Sequence, residues 1–168
     1  MTLRLQPYLP SLRQPRFVSL RRRFARASRE WFRIVHFSVQ ATHIHLVVEA
    51  DDKLALARGV QGLAVRLARA VNRLLRRRGR VFAERYHARP LTSPRAVRNA
   101  IVYVLHNWKH HCTGARGIDP CGSGPWFDGW AHQPLPWHTP PPIRRPRSWL
   151  LAVGWKRRGL IRIDERPA

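Results

Sequence analysis

Between Phe32 and Ala50 the chain carries two runs rich in β-branched and aromatic residues, Phe32 to Gln40 and Thr42 to Ala50, separated only by Ala41. A parallel crossover needs about a dozen residues, so runs this close pair as an antiparallel hairpin. What flanks the hairpin is helical. From Pro15, residues Phe17, Leu20, Phe24, Ala27 and Trp31 recur at spacings of three and four, with arginines on the other faces. After the hairpin, Asp51 and Asp52 place carboxylates at the start of a helix expected from Leu54 to Arg78 and ended by Gly79. Leu3 to Leu5 reads as a first strand, and Val81 to Leu91 as a loop with a strand around His87 to Leu91. Ser93 and Pro94 are an N-cap and a proline at the first helical position, opening a helix that runs to about His111. Strand, helix, strand, strand, helix, strand, helix is the order of a ferredoxin-like α+β sandwich, an antiparallel sheet with helices on one face. Beyond residue 111 the texture changes to Pro, Gly and Trp with little periodicity, which predicts a tail or arm.

Charge narrows the function classes. The 168 residues carry 32 Lys and Arg against 9 Asp and Glu, a formal charge of +23, yet 44% are apolar, enough for a folded core. Arginine presents a rigid fork of donors suited to phosphate, so nucleic acid is the expected partner. No run approaches the roughly 18 apolar residues of a membrane span, and no secretory leader is evident. Two cysteines, Cys112 and Cys121, are too few for a disulfide framework, which favours a cytosolic, nucleoid-associated chain. On the middle helix Arg58, Arg66, Arg69, Arg73, Arg76 and Arg77 share one face, continued by Arg80, with no acid among them. That face is the expected phosphate contact.

The chemistry centres on His43 and His45. They flank Ile44 on a strand, so the two-residue period puts both imidazoles on one face. With the hairpin centred between Gln40 and Ala41, His36 falls opposite His45 and becomes a partner behind the metal ligands or a further ligand. On the last helix Tyr103 and Asn107 stand one turn apart on the shoulder of the stripe Val97, Ala100, Ile101, Val104, Leu105 and Trp108. A phenol is a poor nucleophile at neutral pH and needs a cation to polarise the phosphate it attacks. Two imidazoles and an amide oxygen are mixed N/O ligands, suited to Mg²⁺ or Mn²⁺ and acceptable to Zn²⁺.

The segments Thr42-His43-Ile44-His45-Leu46 and Tyr103-Val104-Leu105-His106-Asn107, in this element order, resemble the HUH single-strand transposases, in particular the REP-associated tyrosine transposases with an IS200-like domain. The resemblance covers Leu3 to His111. It implies an HUH-type catalytic domain over residues 1–111 and a basic aromatic tail over 112–168. It further implies a divalent metal on His43, His45 and Asn107, and Tyr103 as the nucleophile. That nucleophile would form a covalent 5′-phosphotyrosine link while cleaving and rejoining single-stranded DNA near hairpins. Members of the family act as homodimers or monomers. Where the family has Pro-Asn before the first histidine, this chain has Ala41-Thr42.

Several alternatives stay open at the level of sequence. Tyr86 is a reserve nucleophile. The same fold with the same basic face would serve a domesticated, non-catalytic hairpin binder, or a protein of ribosomal or other RNA. Glu49, Asp51 and Asp52 are the clustered acids for a carboxylate nuclease. His106 has no assigned role, and His110 or His111 with Cys112 and Cys121 offers a weak zinc pattern. Trp126, Trp130, Trp137, Trp149 and Trp155 among the tail's arginines are either a stacking platform for unpaired bases or anchors that hold the tail down.

Overall fold

The computed structural model describes residues 1–112, 114–132 and 138–167. Its centre is a three-stranded antiparallel sheet in the order β1-β3-β2, formed by β1 (Thr2–Arg4), β2 (Phe32–Val39) and β3 (His43–Ala50). Around it lie α1 (Arg21–Ala27), entered through a 3₁₀ turn over Pro15–Leu20, then α2 (Lys53–Leu74) and α3 (Pro94–His106), followed by the short α4 (Trp108–His111) and α5 (Trp149–Ala152). The architecture is α+β. No helix among the described residues is long and apolar enough to cross a membrane.

The hairpin is set by a two-residue loop. Gln40 N–H donates to the His43 carbonyl at 2.9 Å, which leaves Ala41 and Thr42 as the loop. Ser38 therefore pairs with His45 and His36 with Val47, not His36 with His45 as expected. A slip of two residues keeps every side chain on its own face, so the apolar pattern alone does not distinguish the registers; the loop does. A bulge between Ile34 and His36 then reverses the facing of β2. Phe32 and Ile34 before it, and Phe37 and Val39 after it, all belong to one core, while Val35 belongs to the other.

The sheet is covered on both sides, which corrects the expectation of helices on one face. Phe17, Leu20 and Phe24 with Val60, Leu63 and Leu67 of α2 pack on Ile44 and Leu46. Gly59 makes that approach feasible, since a Cβ there would stand 2.1 Å from the Phe32 ring. On the opposite face, Val97, Ile101, Val104 and Leu105 of α3 meet Val35 and Val47. β2 is buried along nearly its whole length because both of its faces are covered.

Two expected boundaries shift, and two hold. The strand around His87 to Leu91 is reduced to a bridge between Thr2 and His87, because Pro90 has no N–H to continue a ladder. α2 ends at Leu74, with Leu75 as its C-cap, not at Gly79: Arg76 takes φ 50°, its N–H bonds to the Arg73 carbonyl, and the Arg77 N–H reaches the Asn72 carbonyl, a Schellman closure. α2 opens on Asp52, whose carboxylate accepts the Ala55 N–H at 2.7 Å. α3 opens on Ser93, whose hydroxyl accepts the Ala96 N–H at 3.2 Å.

The C-terminal segment is part of the packing. Cys121 and Ser123 bond to the backbone of Val39 and Phe37 along the outer edge of β2, and Arg144 bonds to Ile34 further along it. The edge that would otherwise be open to a foreign strand is thereby closed. Trp130, Trp155 and Ile161 enter the core beneath α3 with almost no exposure, so these two tryptophans are anchors. Trp149 is exposed and stacks with Arg157, and Trp126 is half-buried. Trp137 lies outside the described residues.

Candidate metal and tyrosine site

His43 and His45 project from β3 toward α3, on the same face as Val47. Their ring centroids are 4.5 Å apart. Tyr103 approaches from α3 with its ring 5.0 Å from that of His45, nearly perpendicular to it. One turn further, Asn107 is 3% exposed and close enough to the His43 ring to favour its protonated form, the smallest of the influences on that ring. Residues read from two separate motifs thus meet across the β3–α3 interface. Tyr103, at 39% exposed, keeps its ring edge in solvent, as its place on the helix shoulder requires.

Two atoms give this group its chemical sense. His45 Nε2 and Asn107 Oδ1 are buried, and among the described residues neither has a hydrogen-bond partner. An unsatisfied buried acceptor costs about 1–3 kcal/mol, so two that each border the His43 ring suit a cation. His45 is oriented for this. Its Nδ1 lies 2.9 Å from Thr2 Oγ1, and the tautomer that donates Nδ1–H to Thr2 leaves the Nε2 lone pair free. Burial first, then the neighbouring His43, lowers the His45 pKa to about 3, so the ring is neutral across the physiological range. The His43 pKa is also lowered, chiefly by burial and then by His111 and Arg4. The donor set fits a divalent ion bound through His43, His45 and Asn107. No three His, Cys, Asp or Glu side chains among the described residues form a metal-holding group, so a third ligand beside the two histidines would have to be the Asn107 amide oxygen.

His36 does not join them. It faces Val47, its Nδ1 is 3.5 Å from Ser123 Oγ, and its ring meets the Phe127 ring edge-on. Burial lowers its pKa to about 4, which makes it a neutral core histidine. His106, also with its pKa lowered to about 4 by burial, holds the Arg162 carbonyl through Nε2 and packs against Trp130. The other tyrosines are elsewhere: Tyr8 stacks on Arg77, and Tyr86 packs against the core beneath α1 and α2. The clustered acids are engaged structurally, Glu49 by the backbone N–H groups of Arg147 and Ser148 and Asp52 by the start of α2. Cys112 and Cys121 are free thiols.

Two neighbours of the site escaped the sequence reading. Thr2 is found by extending the strand period back from Leu3 and Leu5, since it must then face His45. His111, with its ring 5.7 Å from that of His43, lies four residues beyond Asn107, so continuing the four-residue period of Tyr103 and Asn107 into α4 finds it.

The arginine face of α2 stands on the other side of the sheet. Arg58, Arg69, Arg73, Arg76 and Arg80 are exposed, Arg66 caps back onto the Gly62 carbonyl, and Arg77 lies over Tyr8. A helix and a sheet layer separate this face from Tyr103. Comparison with protein-family models, curated proteins and solved structures finds no match to this chain.

Proposed function

We propose that the protein is a metal-dependent tyrosine transesterase of the HUH type, which cleaves and rejoins single-stranded DNA near hairpins on an α+β scaffold. The observation that carries this reading is the pair of orphaned acceptors, His45 Nε2 and Asn107 Oδ1, beside His43 and a half-exposed tyrosine. A divalent ion such as Mg²⁺ or Mn²⁺, when bound there, supplies Lewis-acid polarisation of the phosphate. Tyr103 forms the Oη–P bond as the P–O3′ bond breaks. Its phenolic proton passes to solvent, and the departing 3′ oxygen takes one up. One phosphodiester is exchanged for another, so rejoining runs the same steps backward without an external energy source. His43, His45 and Asn107 would hold the divalent ion beside Tyr103, and Thr2 holds His45 in register. The arginine face of α2 is suited to phosphates remote from the cut, such as those of a hairpin stem.

The direct test incubates the protein with single-stranded hairpin DNA from the flanks of its own gene, with Mg²⁺, Mn²⁺ or chelator. A denaturant-stable adduct is expected with metal alone, and its nucleotide-bearing peptide is expected to contain Tyr103. Tight binding without an adduct under any metal would shift the reading to a non-catalytic hairpin binder.

Asn107→Leu separates the metal role from a packing role. Replacing a buried amide whose Oδ1 has no partner by an apolar group of similar size is expected to leave stability unchanged or raise it by about 1 kcal/mol. Affinity for Mn²⁺, measured by calorimetry, is expected to fall at least about tenfold. A structural asparagine would show the opposite pair of effects.

A further inference from the structure

Tyr103 and His45 open into a cleft of about 700 Å³ between α3, β1 and the segment after Leu91, well within the size range of clefts that hold organic ligands. Arg95, Asn99 and Tyr103 follow one another along the wall at successive turns of α3, and Arg89 and Arg166 stand on its rim. Arg89, Arg95, Asn99 and Arg166 are exposed. Glu165 is the acid of the lining, and Arg98 takes both of its oxygens, at 2.7 and 3.0 Å, so that pair is neutral. Among the described residues, three arginines are left without a carboxylate in the cleft that leads to the tyrosine. The α2 face, in contrast, looks away from it.

We infer that this cleft is the subsite for the unpaired strand, with Arg89, Arg95 and Arg166 on its phosphates and Asn99 on a base or sugar edge. The inference rests on the proposed function for the identity of the reacting phosphate at Tyr103. Eight residues of helix separate Arg95 from Tyr103, about 12 Å along the axis, the length of a short run of nucleotides. A strand laid there passes its phosphates from the arginines toward Tyr103. Leu91 and Val102 give the floor apolar surface for bases. The charge and the aim of the cleft favour single-stranded nucleic acid over a small anion, because the cations are spread along it instead of converging.

The test uses binding, not chemistry. In a Tyr103→Phe background with chelator present, fluorescence anisotropy follows a labelled oligothymidylate of about 10 nucleotides. Arg89→Ala with Arg95→Ala is expected to weaken binding about tenfold and to flatten the log–log salt slope by about 1.4, two phosphates at about 0.7 each. Arg69→Ala with Arg73→Ala on α2 is expected to leave oligothymidylate binding within twofold while weakening a duplex hairpin stem. All four positions are exposed, so the fold is expected to survive, as checked by thermal melting. The subsite is overturned if the cleft pair binds like its background, if the α2 pair loses as much, or if the background does not bind the strand. Strand binding that needs Arg89 and Arg95 without an adduct in the parent protein would sink the transesterase reading and support the subsite. An adduct with unaltered binding in the cleft pair would sink the subsite alone.

Discussion

Tyr103→Phe is expected to abolish the covalent protein–DNA adduct, a loss of at least about 10³-fold in rate, while changing Mn²⁺ affinity less than about twofold. The asymmetry follows from the geometry. Tyr103 touches the His45 ring by its edge, and the ring stays in place without the hydroxyl, so the His43, His45 and Asn107 donors are undisturbed. What disappears is the only tyrosine oxygen near the histidine pair, since Tyr8 and Tyr86 are held elsewhere. The side chain is 39% exposed, so stability should not fall. The variant is scored by denaturing electrophoresis of labelled DNA and by calorimetric metal titration. An adduct persisting in Tyr103→Phe would transfer the nucleophile to another group and end the assignment.

Arg13→Ala is expected to destabilise the protein by about 3–5 kcal/mol, a large share of the roughly 5–15 kcal/mol that holds a domain folded. Asp119 is 1% exposed, and Arg13 meets both its oxygens, at 3.0 and 2.8 Å, while also donating to the Val39 carbonyl at 2.9 Å. Without the guanidinium a carboxylate is left buried with only the Cys121 N–H and the weak Ser38 contact for company. The double variant Arg13→Ala with Asp119→Ala should recover part of the loss, because no uncompensated charge remains. Urea unfolding of the parent, the two single variants and the double variant measures this cycle. Equal, small losses in all three variants would show that the pair is a surface-like contact and that residues 119–123 are held by backbone pairing alone.

This ion pair marks where sequence reasoning ends. Arg13 and Asp119 are 106 residues apart, and neither has a local signature of a partner. By contrast, the facing of His43 with His45 and of Tyr103 with Asn107 follows from the two-residue and four-residue periods of the elements that carry them. The caps at Asp52 and Ser93 are equally local. His36 shows how such reasoning fails by degrees. Its face was legible, but the register was not, because a shift of two residues conserves the pattern and only the Ala41–Thr42 loop distinguishes the pairings.

The tail shows a second kind of failure. Proline, glycine and tryptophan without periodicity read as an arm, yet Trp130 and Trp155 are core residues and residues 121–123 close the edge of β2. Irregular backbone has no period to betray which side chains point inward; only the surface it must cover decides that. The sequence by itself determined the three main helices, the hairpin and which side chains of β3 and of each of those helices share a face, because those depend on neighbours within a few residues. Tertiary structure decided that α3 lies against the histidine face with α2 behind the sheet, and so which arginines stand beside Tyr103. The physical reason is that β2 is buried on both faces, and nothing local to either helix states which face it will cover.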